Sequence, residues 1–237
     1  MRDGCYNRES MIAENLQRVR ERIAGAARSA GRDPTEIRLI CVTKGVPVER
    51  IREAVSAGIR EIGENRVQEA QIKKENLGTR YKVPGTSVSD LRWHMIGHLQ
   101  RNKAKLAAGL FDWIHSVDSS ELVQLLDQQS RKLKILVQVN VSGEATKEGC
   151  RPEELEKLAA EVGKSSNLTL AGLMTMAPFG EDPEAARPFF GKLRQLRDKL
   201  DPKLELSMGM SGDFEAAIKE GATMVRIGTA IFGERAQ

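Results

Sequence analysis

Short apolar runs alternate with amphipathic helical segments along almost the whole chain, and this rhythm limits the fold more than any other feature. The runs are four to seven residues long, and the first of them, at 37–43, is largely apolar. Such runs are typical of parallel strands that are buried on both sides. The predicted strands lie at 37–43, 59–62, 91–96, 113–117, 135–141, 168–174, 204–208 and 223–227.

Strict alternation predicts parallel strands that are joined by crossover helices. Eight strand–helix units in 237 residues favour a closed (β/α)8 barrel, the TIM barrel, over an open doubly wound sheet. A helix predicted at 14–30 precedes the first strand, so it is an addition to the barrel. The chain has no Pro/Gly/Ser-rich linker, and we therefore expect one α/β domain over residues 1–237. The longest irregular stretch, 79–90, is predicted to be a surface loop.

Composition excludes several classes of protein. Lys and Arg number 37 against 33 Asp and Glu, and the resulting net charge of +4 is scattered. Basic residues such as Lys73, Lys74, Lys103 and Lys105 are interpreted as solvated helix faces, so no nucleic-acid partner is expected. No apolar stretch approaches the roughly 20 residues that span a bilayer, and no membrane association is expected.

The three cysteines, Cys5, Cys41 and Cys150, are odd in number and far apart. This spacing argues against a disulfide framework and a thiolate zinc site, and we expect a cytoplasmic protein. Cys41 lies within an apolar run and is interpreted as core. His94 and His98 are four residues apart, but Gly97 interrupts any helix between them, and no metal site is predicted.

Lys44 ends the first predicted strand, and barrels of this type carry their active sites at the C-terminal ends of the strands. Partial burial there disfavours the ammonium form and supplies an amine nucleophile for a Schiff base with an aldehyde. The alternative is a lysine that simply extends to solvent, and position alone favours this alternative.

Two glycine-containing stretches, Ser207-Met-Gly-Met-Ser211 and Val225-Arg-Ile-Gly-Thr229, follow the seventh strand and end the eighth. Loops at this corner recur as phosphate sites in such barrels, because their backbone N–H groups are accessible to an anion. The alternative is a pair of tight turns that use glycine for its conformational freedom. Because both stretches fall at the same corner, a phosphorylated ligand is the favoured interpretation.

Arg226 and Asn65 are further candidates for contact with a ligand. Arg226 lies on the last strand, where it could donate to a ring nitrogen or form an ion pair with an interior acid such as Glu64. Asn65 follows the second strand, where it could bind a ligand oxygen or cap the next helix.

Six motifs in order give the chain a family resemblance. They are Val42-Thr-Lys44, Gly63-Glu-Asn65, Trp93-His-Met-Ile-Gly97 with Leu99-Gln-Arg-Asn-Lys103, Met174-Thr-Met-Ala-Pro178, Ser207-Met-Gly-Met-Ser211 and Val225-Arg-Ile-Gly-Thr-Ala-Ile-Phe-Gly233. In this combination the sequence resembles the pyridoxal phosphate homeostasis proteins, stand-alone relatives of the alanine racemase barrel. The resemblance runs from about residue 11 to residue 233 and implies the fold-type III barrel that binds pyridoxal 5′-phosphate (PLP).

The resemblance also implies roles for individual residues. It implies that PLP is covalently bound to Lys44, that Arg226 faces the pyridine nitrogen, and that Asn65 lies near the ring. By the same resemblance Ser207, Gly228 and Thr229 surround the phosphate, and Met208 and Met210 line the site. The implied role is to hold PLP for storage or delivery, with apo PLP-dependent enzymes as partners and with no catalytic residue assigned.

Two other functions remain open from the residues. A PLP-dependent racemase or decarboxylase would need a further proton-transfer group, and Tyr6 and Tyr81 are the only tyrosines. Tyr81 could serve only if the 79–90 segment covered the site. A barrel enzyme acting on a sugar phosphate would need no covalent link to lysine. A monomer is expected, because the racemase relatives dimerise through a domain that this sequence does not show.

Overall fold

The computed structural model describes residues 6–79, 90–129, 131–144, 146–178, 180 and 182–234, with side chains from Met11 onward and excluding Thr79. Most of the predicted 79–90 loop, including Tyr81, lies outside the described residues. The strands are β1 (Arg38–Val42), β2 (Glu61–Glu64), β3 (Arg92–Met95), β4 (Trp113–Val117), β5 (Leu133–Gln138), β6 (Leu168–Met174), β7 (Glu205–Ser207) and β8 (Met224–Ile227). The helices are α1 (Tyr6–Ser29), α2 (Val48–Ser56), α3 (Val67–Thr79), α4 (Ala104–Leu110), α5 (Ser120–Asp127), α6 (Leu155–Gly163), α7 (Arg187–Leu200), α8 (Phe214–Lys219) and α9 (Thr229–Phe232).

The eight strands close into one parallel barrel in chain order, so the predicted (β/α)8 barrel is confirmed. Closure is made by β1 and β8, where Cys41 is the register partner of Ile227. Several boundaries differ from the prediction. The second strand begins at Glu61 rather than at 59, because the Ile59 N–H donates to the Ala54 carbonyl and closes the turn after α2. The fifth strand spans Leu133–Gln138 rather than 135–141, and the N-terminal helix begins at Tyr6 rather than at 14.

Helix α1 covers one side of the barrel, as the sequence predicted for a helix that precedes the first strand. Its apolar stripe, which includes Leu16, Val19 and Ile23, is buried against α2, α8 and α9. The Asn15 side chain donates to the Ile231 carbonyl at 2.9 Å, and Arg22 pairs with Glu215. No helix in the described part of the chain is both long and apolar enough to cross a bilayer.

The barrel interior contains a small apolar cluster and a set of buried polar side chains. The cluster joins residues from five strands, which can meet only across the interior: Ile40, Trp113, Leu136, Met174 and Met224. Strand alternation places His94, His115, Ser207 and Arg226 in the same interior, and each is at most 4% exposed. The larger core lies between the strands and the surrounding helices. The interior is thus polar directly beneath the C-terminal mouth.

Candidate functional site

A cavity of about 610 Å³ opens at the C-terminal ends of the strands. It lies among the segments that follow β1, β2, β6, β7 and β8, where the barrel rule predicts a site. Six predicted site residues line it: Lys44, Asn65, Met210, Arg226, Gly228 and Thr229. Its volume is within the range of roughly 300–1,000 Å³ that is typical of small-molecule sites.

Ser207 and Met208, which the resemblance also placed at the site, do not line the cavity. Both are fully buried. The Ser207 hydroxyl lies between two protein partners, 2.7 Å from Arg226 Nη1 and 2.9 Å from His115 Nδ1. Ser207 therefore contacts Arg226, which lines the cavity, but does not itself reach the cavity surface.

Lys44 is half-buried at the end of β1, and the backbone on both sides of it is anchored. Lys73 on α3 donates to the Thr43 carbonyl at 2.5 Å. Glu69, one helical turn earlier, accepts from the Gly45 N–H at 2.6 Å and from Lys73 at 2.6 Å. The loop that presents Lys44 is thus fixed by side chains of the neighbouring helix.

Lys73 was predicted to be solvated, and this interpretation was wrong. The side chain is buried, because its ammonium also contacts Glu64 Oε1 at 2.7 Å inside the protein. Burial raises the pKa of Glu64, although hydrogen bonds from Lys73 and Thr43 oppose the shift. Burial opposes ionisation of Glu69 as well, but its hydrogen bonds with Lys73 and Gly45 lower the pKa overall. The only sequence signal was the spacing of Glu69 and Lys73, one turn apart on a helix.

Arg226 is a buried cation at the floor of the cavity. Its Nη1 donates to Ser207 Oγ at 2.7 Å, and its Nη2 donates to the Thr175 carbonyl at 2.9 Å. The predicted alternative, an ion pair with Glu64, is wrong, because Glu64 is bonded to Lys73 and Thr43. No carboxylate in the described ranges forms an ion pair with Arg226, and burial lowers its pKa to about 10. The guanidinium therefore stays charged at neutral pH, with spare N–H donors for a ligand.

The corner after β7 and β8 carries accessible backbone donors. The N–H groups of Ser211, Gly212 and Thr229 donate to no acceptor among the residues that the structure describes. Gly209 makes this turn possible, since its φ is +90° and a Cβ there would lie 2.6 Å from the Ala217 Cβ. Three N–H groups at one cavity wall can bind an anionic group such as a phosphate.

Asn65, which follows β2, also lines the cavity. Its side-chain amide makes no hydrogen bond with any described residue, and α3 begins only at Val67. Gly97 lets the chain pass close to Asn65, because a Cβ at this position would lie 2.5 Å from the Asn65 carbonyl oxygen. The amide is therefore available to a ligand in the cavity.

The two histidines that the sequence places four residues apart belong to different surroundings. His94 is fully buried inside the barrel, 2.7 Å from Glu61 and 2.9 Å from His115. His98 is exposed, with its Nδ1 3.1 Å from Glu148 and 3.9 Å from Asp118. They do not form a common pair.

Comparison with known proteins supports one family. A family model for the N-terminal domain of alanine racemase matches residues 10–236. A pyridoxal phosphate homeostasis protein from Pseudomonas aeruginosa is 46% identical over 231 residues, covering 95% of this chain and 96% of that protein. The structure of PipY from Synechococcus elongatus PCC7942, solved with PLP bound, is 37% identical with a TM-score of 0.76. That match covers 94% of this chain and 100% of PipY.

Alanine racemase from Clostridium difficile 630 shares the fold alone, at 18% identity and a TM-score of 0.72. The match covers 96% of this chain but 60% of the racemase. The full-length similarity is thus to the stand-alone barrels. The chain belongs to the pyridoxal phosphate homeostasis protein family.

Proposed function

We propose that this protein binds PLP in the cavity at the mouth of the barrel and holds it through Lys44, for storage or for delivery to apo PLP-dependent enzymes. The observation that carries the proposal is the convergence of Lys44, the charged Arg226 and three accessible N–H groups on one cavity. A relative that matches over nearly the whole chain has been solved with PLP bound. When bound, PLP supplies three groups: a ring nitrogen, a phosphate, and an aldehyde that condenses with a primary amine.

Each side chain of the cavity has a role that its surroundings support. Lys44 presents an amine from a backbone that Glu69 and Lys73 keep in place. Arg226 offers N–H donors to an acceptor and resists losing its proton at neutral pH. Ser211, Gly212 and Thr229 offer backbone N–H groups to the phosphate, and Asn65 offers a side-chain amide to the ring substituents.

We further propose that the protein holds PLP without turning over an amino acid. Racemisation needs proton-transfer groups on both faces of the reacting carbon. Among the described residues that line the cavity there is no His, Tyr or Cys. The carboxylates of Asp182 and Asp213 accept from the backbone N–H groups of Glu184 and Met210, at 3.0 and 2.6 Å. The third lining carboxylate, Glu234, is exposed at the edge of the described chain, and Lys44 is the one amine among the described lining side chains.

The experiment starts from purified protein with PLP added. A visible absorbance band is expected, and borohydride reduction should leave the pyridoxyl mass on the peptide that contains Lys44. Lys44→Ala should lose this label and bind PLP reversibly and more weakly, whereas Lys103→Ala, at a lysine outside the cavity, should behave as wild type. Protein that remains colourless with excess PLP, or labelling that persists in Lys44→Ala, would contradict the proposal.

Turnover is measured separately, with L-amino acids and chiral chromatography. Racemase or decarboxylase rates comparable to those of dedicated enzymes would show that the protein is an enzyme. A rate indistinguishable from free PLP is expected.

We also propose that the protein acts in the cytoplasm as a monomer. Cys41 and Cys150 are both buried free thiols, which suits a reducing compartment. The large apolar side chains that are exposed in the described ranges lie on separate elements or at the cavity: Met11, Ile72, Leu106, Met176 and Met210. Scattered residues of this kind form no apolar patch for a stable interface. Light scattering of the purified protein should give the mass of one chain.

A further inference from the structure

A continuous line of hydrogen bonds crosses the barrel interior from its N-terminal end to the cavity. Glu61 Oε2 lies 2.7 Å from His94 Nε2, and His94 Nδ1 lies 2.9 Å from His115 Nε2. His115 Nδ1 lies 2.9 Å from Ser207 Oγ, which accepts from Arg226 Nη1 at 2.7 Å. We call Glu61, His94, His115 and Ser207 the interior chain. It ends on the cation that faces the proposed PLP site.

The N-terminal end of the interior chain is anionic. Glu61 pairs with Arg92 at 3.3 Å and with Arg38 at 3.9 Å. Burial opposes its ionisation, but hydrogen bonding to His94 and the two arginines lower the pKa of Glu61 overall. The carboxylate is therefore an acceptor only, and His94 Nε2 must carry a proton.

The remaining protons follow from this first one. Burial lowers the pKa of His94 and lowers that of His115 further, so both rings are neutral and each has one N–H. Since His94 uses its N–H toward Glu61, its Nδ1 accepts, and His115 Nε2 must donate. His115 Nδ1 then accepts the hydroxyl proton of Ser207. The Ser207 oxygen consequently directs a lone pair at Arg226, so donor and acceptor match at every link.

Burying this line of polar groups costs desolvation that an apolar barrel filling would avoid. All four links have normal hydrogen-bond lengths, and the two rings are fully buried. We infer that this cost is offset by an effect on the site. The interior chain determines which way the Ser207 hydroxyl points and hence how Arg226 is held.

We propose that the interior chain is a positioning device that holds Arg226 as a donor toward the cavity and makes the site select ligands with a hydrogen-bond acceptor there. This inference rests on the proposed function and names the basis of its specificity. Glu61, at the far end of the barrel, is thereby a residue that determines ligand selectivity without touching the ligand.

The first test determines which imidazole nitrogens carry protons in the unliganded wild-type protein. The protein has three histidines, so the imidazole nitrogens can be assigned by ¹⁵N NMR with exposed His98 as the reference. We expect His94 and His115 to be neutral and to carry their proton on Nε2 at neutral pH. If His115 Nδ1 carries the proton, it donates to Ser207, and the Ser207 hydroxyl proton must point elsewhere. That result would overturn the inference.

The second test compares two ligands, PLP and its 1-deaza analogue, in which carbon replaces the ring nitrogen. Wild type should prefer PLP by about tenfold, the effect of one hydrogen bond to a charged donor. Glu61→Gln should reduce this preference to about threefold or less. Without the carboxylate charge, His94 is no longer required to carry its proton on Nε2, and the proton positions of His115 and Ser207 are no longer fixed. Glu205→Gln is the matched control, since Glu205 also pairs with Arg38 at the same end, at 3.3 Å, but does not contact His94.

The outcomes separate this inference from the proposed function. If wild type binds neither ligand, the proposed function fails, and the NMR measurement still tests the interior chain. If Glu61→Gln weakens both ligands equally, or if Glu205→Gln loses the preference to the same extent, the role of Glu61 is merely structural and the inference is wrong.

Discussion

Replacement of Lys73 by Met tests whether the buried ion cluster of α3 supports the Lys44 loop. The ammonium has three oxygen partners within 2.7 Å: the Thr43 carbonyl, Glu64 and Glu69. Methionine has a similar length and no charge, so it fills the space while removing all three hydrogen bonds. Glu64, which is fully buried and already has one oxygen without a partner, would keep only the Thr43 hydroxyl.

Removing one member of a buried ion pair costs about 3–5 kcal/mol of unfolding free energy, because the remaining charge is uncompensated. The pKa of Glu64 is raised by burial and would rise further without Lys73. A carboxyl whose pKa is raised on folding loses stability as the pH rises from its unfolded pKa through its folded pKa. The difference between Lys73→Met and wild type should therefore be largest at pH 7 and smaller at pH 5.

Urea unfolding of the unliganded proteins at pH 5 and pH 7 measures both effects. The matched control is Lys74→Met, on the next position of the same helix, where the half-buried ammonium makes one hydrogen bond, to the Leu110 carbonyl. That variant should lose about 1 kcal/mol at either pH. The double variant Lys73→Met/Glu64→Gln should recover part of the loss at pH 7. A loss below about 1 kcal/mol for Lys73→Met, or one that is independent of pH, would refute the reasoning.

Three further predictions concern the cavity and the core. Gly209→Ala should lower the unfolding free energy by about 2–3 kcal/mol, because φ is +90° and the new Cβ meets Ala217; unchanged thermal unfolding would be inconsistent with this turn. Asn65→Ala should weaken PLP binding about fivefold in fluorescence titration without changing stability, since the Asn65 amide has no described protein partner. In a Cys5→Ser background, Cys41 and Cys150 should react with iodoacetamide only after unfolding, because burial raises the pKa of both thiols. Rapid native alkylation would show that one of them is accessible.

The fold could be predicted because a (β/α)8 barrel repeats one local pattern. A short strand-like run followed by a segment with helical periodicity indicates one strand–helix unit at each step, and β4 and β6 were predicted at their observed bounds. The errors fell where an apolar residue packs outside the ladder, as Ile59 does in the turn after α2. Hydrophobicity reports burial, and it does not report whether the backbone is paired.

The candidate site could be predicted in part, for a related reason. Lys44, Arg226 and Thr229 were identified because parallel strands bring their C-terminal ends to one mouth. Ser207 was expected at the cavity surface, but its hydroxyl is held between Arg226 and His115. Strand position predicts which face a residue shares, whereas the depth of a side chain depends on its neighbours across the barrel.

The sequence by itself determined the eight-unit barrel and the end at which a site would form, and the family resemblance predicted Lys44 as the lysine that holds an aldehyde. Only the tertiary structure decided that Lys73 is buried against the Thr43 carbonyl, next to Lys44, and that Glu61 is connected to Arg226 through two histidines and Ser207. The physical reason is separation along the chain. Helix and strand periods are local, whereas the partners of a buried polar atom in the interior chain come from strands up to 92 residues apart. No local pattern predicts such a pairing, because a polar residue at the start or middle of a strand gives the same sequence pattern whichever partner it has.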